Sequence, residues 1–313
     1  MLDCAIIGGG PAGLTAGLYA TRGGLKNVTL FEMGVPGGQI TKSSEIENYP
    51  GFFDSTKTGL DFMDTWQKQC FNFGLKHEMQ KVESINKTGE YFTITLEGGN
   101  TVEAMTVIVS TGAVPRRAHF KGEDEFYGRG VSTCAICDGF FYKDKPVTVL
   151  GGGDTALEEA YFLSNICSDV YVVHRRDTFR AAPPTIDRAE RKENIHFVLD
   201  SVIEESVGDA MGLSGVDIRN VKTNEITHMD NTGLFVFVGQ DVKNDVLKDE
   251  NDDFICKMSE SGQVIVDLSM KTSVPGLFVA GDLRIEAPKQ VVSAAGDGSI
   301  AALQVISYIQ EQQ

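Results

Sequence analysis

A strand, a glycine-rich turn and a helix, written at the amino terminus and again 143 positions later, predict an α/β chain of two Rossmann-like dinucleotide-binding domains. In the first copy the apolar run Cys4 to Ile7 ends in Gly8-Gly9-Gly10-Pro11-Ala12-Gly13; in the second, Val147 to Leu150 ends in Gly151-Gly152-Gly153-Asp154-Thr155-Ala156. A third observation is Cys134-Ala135-Ile136-Cys137-Asp138, two thiols separated by two residues just ahead of the second turn.

Each glycine of the first turn has a task. One makes the tight bend, one lets a pyrophosphate approach the backbone, and one lets the helix pack closely, while the helix N-terminus faces the negative charge. The helix is expected over Leu14 to Arg22, and the next strand, Val28 to Phe31, ends at Glu32. In the second copy Gly8, Gly10 and Gly13 become Gly151, Gly153 and Ala156, the helix becomes Thr155 to Asn165, and the strand becomes Val170 to Val173 followed by His174-Arg175-Arg176. Counted at the same interval, Glu32 corresponds to Arg175. A carboxylate there accepts hydrogen bonds from ribose hydroxyls and repels a 2′-phosphate; guanidinium groups, with Arg180 nearby, do the opposite. The first site therefore suits an adenosine without that phosphate and the second suits NADPH.

The CxxC reads first as a redox dithiol, because the thiolate is the reactive species and the adjacent Asp138 can handle its protons. Half a zinc site and two inert core cysteines are the alternatives; Cys4, Cys70, Cys167 and Cys256 form no second pair, and His119 has no matching partner beside it. Two dinucleotide sites joined by a dithiol call for a flavin between the nicotinamide and the sulfurs.

The remaining elements follow from pattern. Gly37-Gly38-Gln39 and Glu45 to Gly51 form a polar connection of the kind that binds ligands. Leu60 to Phe73 is helical, with Leu60, Met63, Trp66, Cys70 and Phe73 on an apolar stripe. Tyr91 to Leu96 and Thr101 to Val109 are antiparallel strands across Gly98-Gly99-Asn100, the second ending at Thr111-Gly112-Ala113 and Pro115. The inserted domain is expected to carry hairpin-like strands at Ile195 to Leu199 and Val216 to Asn220. Leu277 to Asp282 is a strand stopped by Gly281-Asp282, and Gln290 to Gln310 is a terminal helix whose first turns Gly296 and Gly298 weaken. Asp282 can hold a ribityl hydroxyl, and the positive end of that helix can stabilise a reduced flavin.

Composition narrows the partners. At 313 residues two cores are expected, and a formal charge of −16 with no basic run argues against nucleic acid. The amino terminus has no basic region ahead of its apolar residues and no stretch nears eighteen apolar residues, so neither a signal peptide nor a membrane span is expected. The cysteines suit a reducing cytoplasm.

Jointly, Gly8 to Gly13, Gly37-Gly38-Gln39, Glu47 to Gly51, Thr111-Gly112-Ala113, Cys134 to Asp138, Gly151 to Ala156, His174-Arg175-Arg176-Asp177 with Arg180, and Ala280-Gly281-Asp282 with Lys289-Gln290 resemble the low-molecular-weight thioredoxin reductases over essentially the whole chain. The resemblance implies an FAD domain (1–114 and 243–313), an inserted NADPH domain (115–242) carrying the dithiol, and a homodimer. It implies that Cys137 receives electrons from the flavin, Cys134 attacks the thioredoxin disulfide, and Asp138 exchanges protons. For FAD it points to Gly8, Gly10, Pro11, Ala12, Gly13, Glu32, Gly38, Gln39, Asn48, Val82, Thr111, Gly112, Gly281, Asp282, Lys289, Gln290 and Val291. For NADPH it points to Gly151, Gly153, Asp154, Thr155, Ala156, Glu158, His174, Arg175, Arg176 and Arg180, and no metal is implied. Ile136 stands where many relatives have Thr, Lys289 where many have Arg, and Leu283 to Pro288 departs from the commoner version.

Because the nicotinamide and the disulfide need the same flavin, the crossings near Gly112 to Arg117 and Gly239 to Asn244 are expected to act as a hinge. Competing readings are a flavin reductase serving ferredoxin, flavodoxin or a peroxiredoxin-type acceptor, and a flavin redox sensor without turnover. The dithiol argues against the ferredoxin and flavodoxin reading, a start at the FAD strand argues against the peroxiredoxin-type relative, which carries extra thioredoxin-like domains there, and NADPH consumption with a disulfide substrate separates the sensor.

Overall fold

A computed structural model describes residues 1–43, 46–52, 54 and 56–312. The expected polar connection is thereby described from Ile46, and Glu45 lies outside the described residues. The helices over those residues are α1 (Pro11–Arg22), α2 (Gly59–Asn72), α3 (Ala135–Asp138), α4 (Asp154–Leu163), α5 (Pro183–Glu190) and α6 (Val291–Glu311). The chain divides into two compact units, Met1–Val114 with Val242–Gln313, and Pro115–Asp241.

In the first unit, Leu2–Ile7 lies parallel between Val28–Phe31 and Thr101–Val109. Side chains alternate across a strand, so Cys4 and Ile6 face one way and Ala5 and Ile7 the other. The first face packs under Leu14, Leu18, Met63 and Val305 of α1, α2 and α6; the second packs on Ile85, Phe92, Leu247 and Val264. Each such aliphatic side chain contributes about 1.5–3 kcal/mol when removed from water. On its other edge Thr101–Val109 serves two partners: Tyr91–Leu96 pairs antiparallel with its first half and Leu277–Val279 parallel with its second. The carboxy-terminal segment thus reaches the sheet beside the first turn. Gly298, expected to weaken α6, instead permits its contact with α1: a Cβ there would lie 2.1 Å from the Ala12 carbonyl oxygen.

In the second unit a parallel sheet runs in the order Ile195–Val198, Val170–Val173, Val147–Gly151, Leu234–Phe237, Val131–Ser132. Val147, Val149, Val170 and Val172 pack against Leu157, Ala160 and Leu163 of α4; Leu150, Val173, Leu234 and Val236 pack on Ile203, Val216 and Ile218. These last residues belong to a separate antiparallel sheet, Ser201–Asp209, Gly212–Asn220 and Ile226–Asp230. The expected hairpin of Ile195 to Leu199 with Val216 to Asn220 is therefore corrected. The first stretch is the parallel sheet's edge, and the second pairs with Ser201–Asp209, whose alternation of buried and exposed residues is interrupted by register shifts near Ile203 and Val207.

Candidate active site

Cys134 and Cys137 are bonded to each other as a disulfide, with Cα atoms 5.3 Å apart. The ring closes because the chain leaves the short strand Val131–Ser132, extends through Cys134, and coils at once into the single turn α3. The Cys137 N–H donates to Cys134 Sγ at 3.2 Å, a contact that favours the thiolate of Cys134 over its thiol. Cys137 is exposed and Cys134 partly covered. Burial pushes the Asp138 carboxyl above its ordinary value, while a hydrogen bond from the Ser132 hydroxyl, 2.5 Å from Oδ2, draws it partway back. Ile136, Phe140 and Phe141 are exposed around the disulfide. The other four cysteines are buried free thiols, and burial holds all of them well above the ordinary value.

The first turn is built against the end of Thr101–Val109. Gly8 has φ +103°, and a Cβ on it would stand 2.5 Å from the Ser110 carbonyl oxygen; one on Gly13 would stand 1.9 Å from the Gly8 oxygen. Gly10 starts α1 with no side-chain cap and Pro11 at the first helical position, so its side stays open to an anion. Ala12 packs beneath Gly281. Glu32 Oε2 accepts the Gly9 N–H at 2.8 Å, Gly38 lies against Gly10, and the Gln39 amide donates to the Ala113 carbonyl. Thr111 donates to the Lys243 carbonyl, and the Lys243 N–H donates to Gly112. Asn48, carried on a loop whose Tyr49 packs against Phe62 and Trp66 of α2, donates to Gln290 Oε1 at 3.1 Å, across 242 positions of sequence. Burial pushes Asp282 up to about 6, with Lys289 and Arg284 pulling it down and Asp297 pushing it up. Val82 is buried beside a cavity of about 300 Å³ lined by Met33, Met79, Gln80, Lys81 and Glu97. Val291 opens α6.

One pair in this region escaped sequence reasoning. Arg284 donates through Nε and Nη2 to the two oxygens of Asp297, at 2.6 and 3.1 Å, and Asp297 also accepts the Gly281 N–H. The unusual segment after Asp282 is thus fastened to α6 by a largely buried fork. A basic residue thirteen positions ahead of an acid on a helix carries no pattern that could have announced it.

In the second turn Gly153 opens α4 without a side-chain cap, and an added Cβ there meets nothing within 4 Å. Gly151 has φ +159° and touches Ala156, the third small residue. Asp154 Oδ1 accepts from the Ala182 N–H at 2.8 Å and the Thr185 hydroxyl at 3.1 Å, tying α5 to the turn, while Thr155 and Glu158 are exposed on α4. Arg175, Arg176 and Arg180 are exposed, and the Arg180 N–H donates to the Gly152 carbonyl. His174 differs from them. Its ring is buried, stacks on Phe179, donates from Nε2 to the Thr178 carbonyl at 3.1 Å, and lies where a Cβ on Gly152 would be 2.2 Å away.

Strand register corrects one correspondence. Ile7 pairs with Phe31, yet Leu150, its counterpart, pairs with Val173. The second copy is one residue shorter between its strands, so the structural counterpart of Glu32 is His174, not Arg175. Both side chains lie against the middle glycine of their turn, Gly9 or Gly152.

Residues 2–298 match the family described as pyridine nucleotide-disulphide oxidoreductase. The chain is 60% identical over 310 residues, 99% of each sequence, to a protein named thioredoxin reductase from Helicobacter pylori, and 41% identical to one from Streptomyces coelicolor over 95% of this chain and 91% of that one. It superposes with a TM-score of 0.92 and 39% identity on the crystal structure of a thioredoxin reductase from Streptococcus pyogenes, covering 99% of both chains. With its paired Rossmann-type turns and internal disulfide, this chain belongs to the pyridine nucleotide-disulphide oxidoreductase family.

Proposed function

We infer that the chain is a thioredoxin reductase, reducing the disulfide of thioredoxin with electrons from NADPH. The observation that carries this reading is the Cys134–Cys137 disulfide, with Asp138 beside it, on a chain 60% identical along its whole length to a protein of that name. FAD fits the first unit: the uncapped start of α1 at Gly10 suits its pyrophosphate, Glu32 its ribose, the cavity beside Val82 its adenine, and the Asp282 carboxyl a ribityl hydroxyl. Asn48 and Gln290, hydrogen-bonded to each other, and Gln39, bonded to Ala113, would flank the ring. NADPH fits the second unit through Gly153 and the exposed Arg175, Arg176 and Arg180. Bound there, FAD would supply the two-electron relay between the nicotinamide of NADPH and the Cys134–Cys137 disulfide.

The dithiol chemistry belongs to this chain's own residues. In the reduced pair the Asp138 carboxylate takes the Cys134 proton, and the Cys134 thiolate attacks one sulfur of thioredoxin. That disulfide breaks, a mixed disulfide forms, and the leaving thiolate takes the proton back from Asp138. Asp138 then takes the proton of Cys137, whose thiolate attacks Cys134 Sγ; the second thioredoxin sulfur leaves and is protonated from Asp138. Two electrons and two protons pass to thioredoxin, and the Cys134–Cys137 bond returns. The Cys137 N–H contact supports Cys134 as the attacking thiolate. The crossings fit a hinge: Lys243 is bonded to Thr111 and Gly112 on one side, and Arg116 to Gly239 and Asp241 on the other. Cytoplasmic residence is supported by four buried free thiols; no helix among the described residues is long and apolar enough to cross a membrane. A homodimer is proposed from the likeness to the family, and sedimentation of the purified protein tests it.

The test of the reading is a yellow absorption spectrum on purification and NADPH-dependent reduction of thioredoxin, coupled to a disulfide dye. Cys137→Ser should leave flavin bleaching by NADPH intact and stop thioredoxin reduction. Loss of bleaching as well would reverse the proposed order of transfer.

A further inference from the structure

Ser132 stands at the end of the short edge strand Val131–Ser132, paired with Phe235 and almost wholly buried. Its one hydroxyl sits at a junction. It accepts the Cys134 N–H at 3.0 Å, lies 2.5 Å from Asp138 Oδ2, and has the Cys134 carbonyl oxygen as a second acceptor at 3.4 Å. We propose that Ser132 is a positioning residue for the thiol–disulfide step, its hydroxyl tying the Cys134 amide to the Asp138 carboxyl and turning its proton from Asp138 to the Cys134 carbonyl when Asp138 is protonated. This rests on the reading of Cys134 and Cys137 as the redox pair and of Asp138 as their acid.

A hydroxyl is the side-chain group suited to the place, because it donates and accepts at once. While Asp138 is ionised, Ser132 donates to Oδ2 and leaves Oδ1 to receive a proton. When Asp138 is neutral it can donate to Ser132, whose own hydrogen then has the Cys134 oxygen to turn to. A half-buried acid that changes charge in every cycle otherwise leaves a polar group unsatisfied in one of its two states. The surroundings supply little else. Tyr142, in the turn after α3, has its hydroxyl pushed up to about 12, first by burial and then by Asp138 and Cys167, so it stays neutral. Behind Gly139 the α4 side presents Leu163, Phe162 and Ile166, which are apolar, and burial raises the Cys167 thiol to about 11. The strand on which Ser132 stands fixes the position of the hydroxyl against the sheet, so the acid is held relative to the sulfur by the fold.

The experiment follows the reaction of the pre-reduced holoenzyme with 5,5′-dithiobis(2-nitrobenzoate) as a function of pH, which needs neither NADPH nor thioredoxin. Ser132→Ala should slow the exchange about tenfold at neutral pH, the size expected for one hydrogen bond to a charged group. It should also move the Asp138-dependent limb of the profile to higher pH, because the bond that favours the carboxylate is gone. Ser132→Thr should restore both. In an Asp138→Asn background the Ala substitution should add nothing. If Ser132→Ala does not fold, Ser132→Thr and Ser132→Val make the same comparison at constant shape. An unmoved pH profile, a loss that Thr does not restore, or an undiminished effect in the Asp138→Asn background would each overturn the proposal. Failure of the wild type to reduce thioredoxin would sink the functional reading alone, since the exchange profile is measured without it.

Discussion

The two glycine-rich turns share a backbone plan and differ in what lies on it. In the first, the side chain at the end of the next strand is Glu32, an acceptor for the Gly9 N–H; in the second it is His174, a ring laid over Gly152. The first turn therefore carries its charge on the turn itself. The second keeps an uncharged platform there and sets its charges one and two residues further, at Arg175 and Arg176, exposed. On the proposed assignment, the choice between ribose and ribose phosphate would be made by a one-residue change in the strand connection together with the residues it brings forward.

The comparison can be broken most severely at the third small residue. Gly13→Ala should destabilise the first unit by more than about 3 kcal/mol, since its methyl would overlap a backbone oxygen that cannot move aside. Ala156→Gly should cost only about 1 kcal/mol, the helix penalty of glycine. Thermal unfolding with the flavin-to-protein absorbance ratio measures both, and equal effects would mean that the copies pack alike. Next in size, Arg175→Ala with Arg176→Ala should raise the KM for NADPH by about 10- to 100-fold, the range for losing charge-assisted hydrogen bonds, and leave that for NADH nearly unchanged. An unaltered preference would remove the phosphate assignment. Glu32→Gln keeps an acceptor near Gly9 and loses its charge, so FAD retention should fall by about fivefold; dialysis against apoprotein reads this.

The smallest effect belongs to His174. Burial holds its pKa below the ordinary value, with the neighbouring arginines pushing the same way and the Thr178 carbonyl opposing them. A base with a lowered folded pKa contributes its stability above its unfolded value, about 6.5, and loses it as pH falls below that toward the folded value. Between pH 7.5 and 5.5 the wild type should therefore lose about 2 °C more in Tm than His174→Gln. Parallel curves would show that the ring is indifferent to its charge.

The sequence made some of this readable and hid the rest for physical reasons. The strand–turn–helix units announce themselves because glycine positions and apolar runs are local, and the observed helices α1 and α4 differ from expectation by a few terminal residues only. The disulfide was legible because its two sulfurs are three residues apart. Register was not, since counting 143 positions cannot see a connection shortened by one. Nor were Arg284 with Asp297, or Ser132 with Asp138: these are single polar contacts created by how strands and helices are brought together, and they leave no periodic trace. The misjudged hairpin has the same origin, because an edge strand of a parallel sheet and a strand of an antiparallel one carry similar short apolar runs.

The seating of α6 on α1 through Gly298 and Ala12 also sets an order of events during synthesis. Residues 115–241 form an uninterrupted stretch and can complete their core while the ribosome is still at work. The unit that begins the chain has to wait for its final twenty-odd residues, and until they emerge its first helix offers an uncovered apolar flank to chaperones.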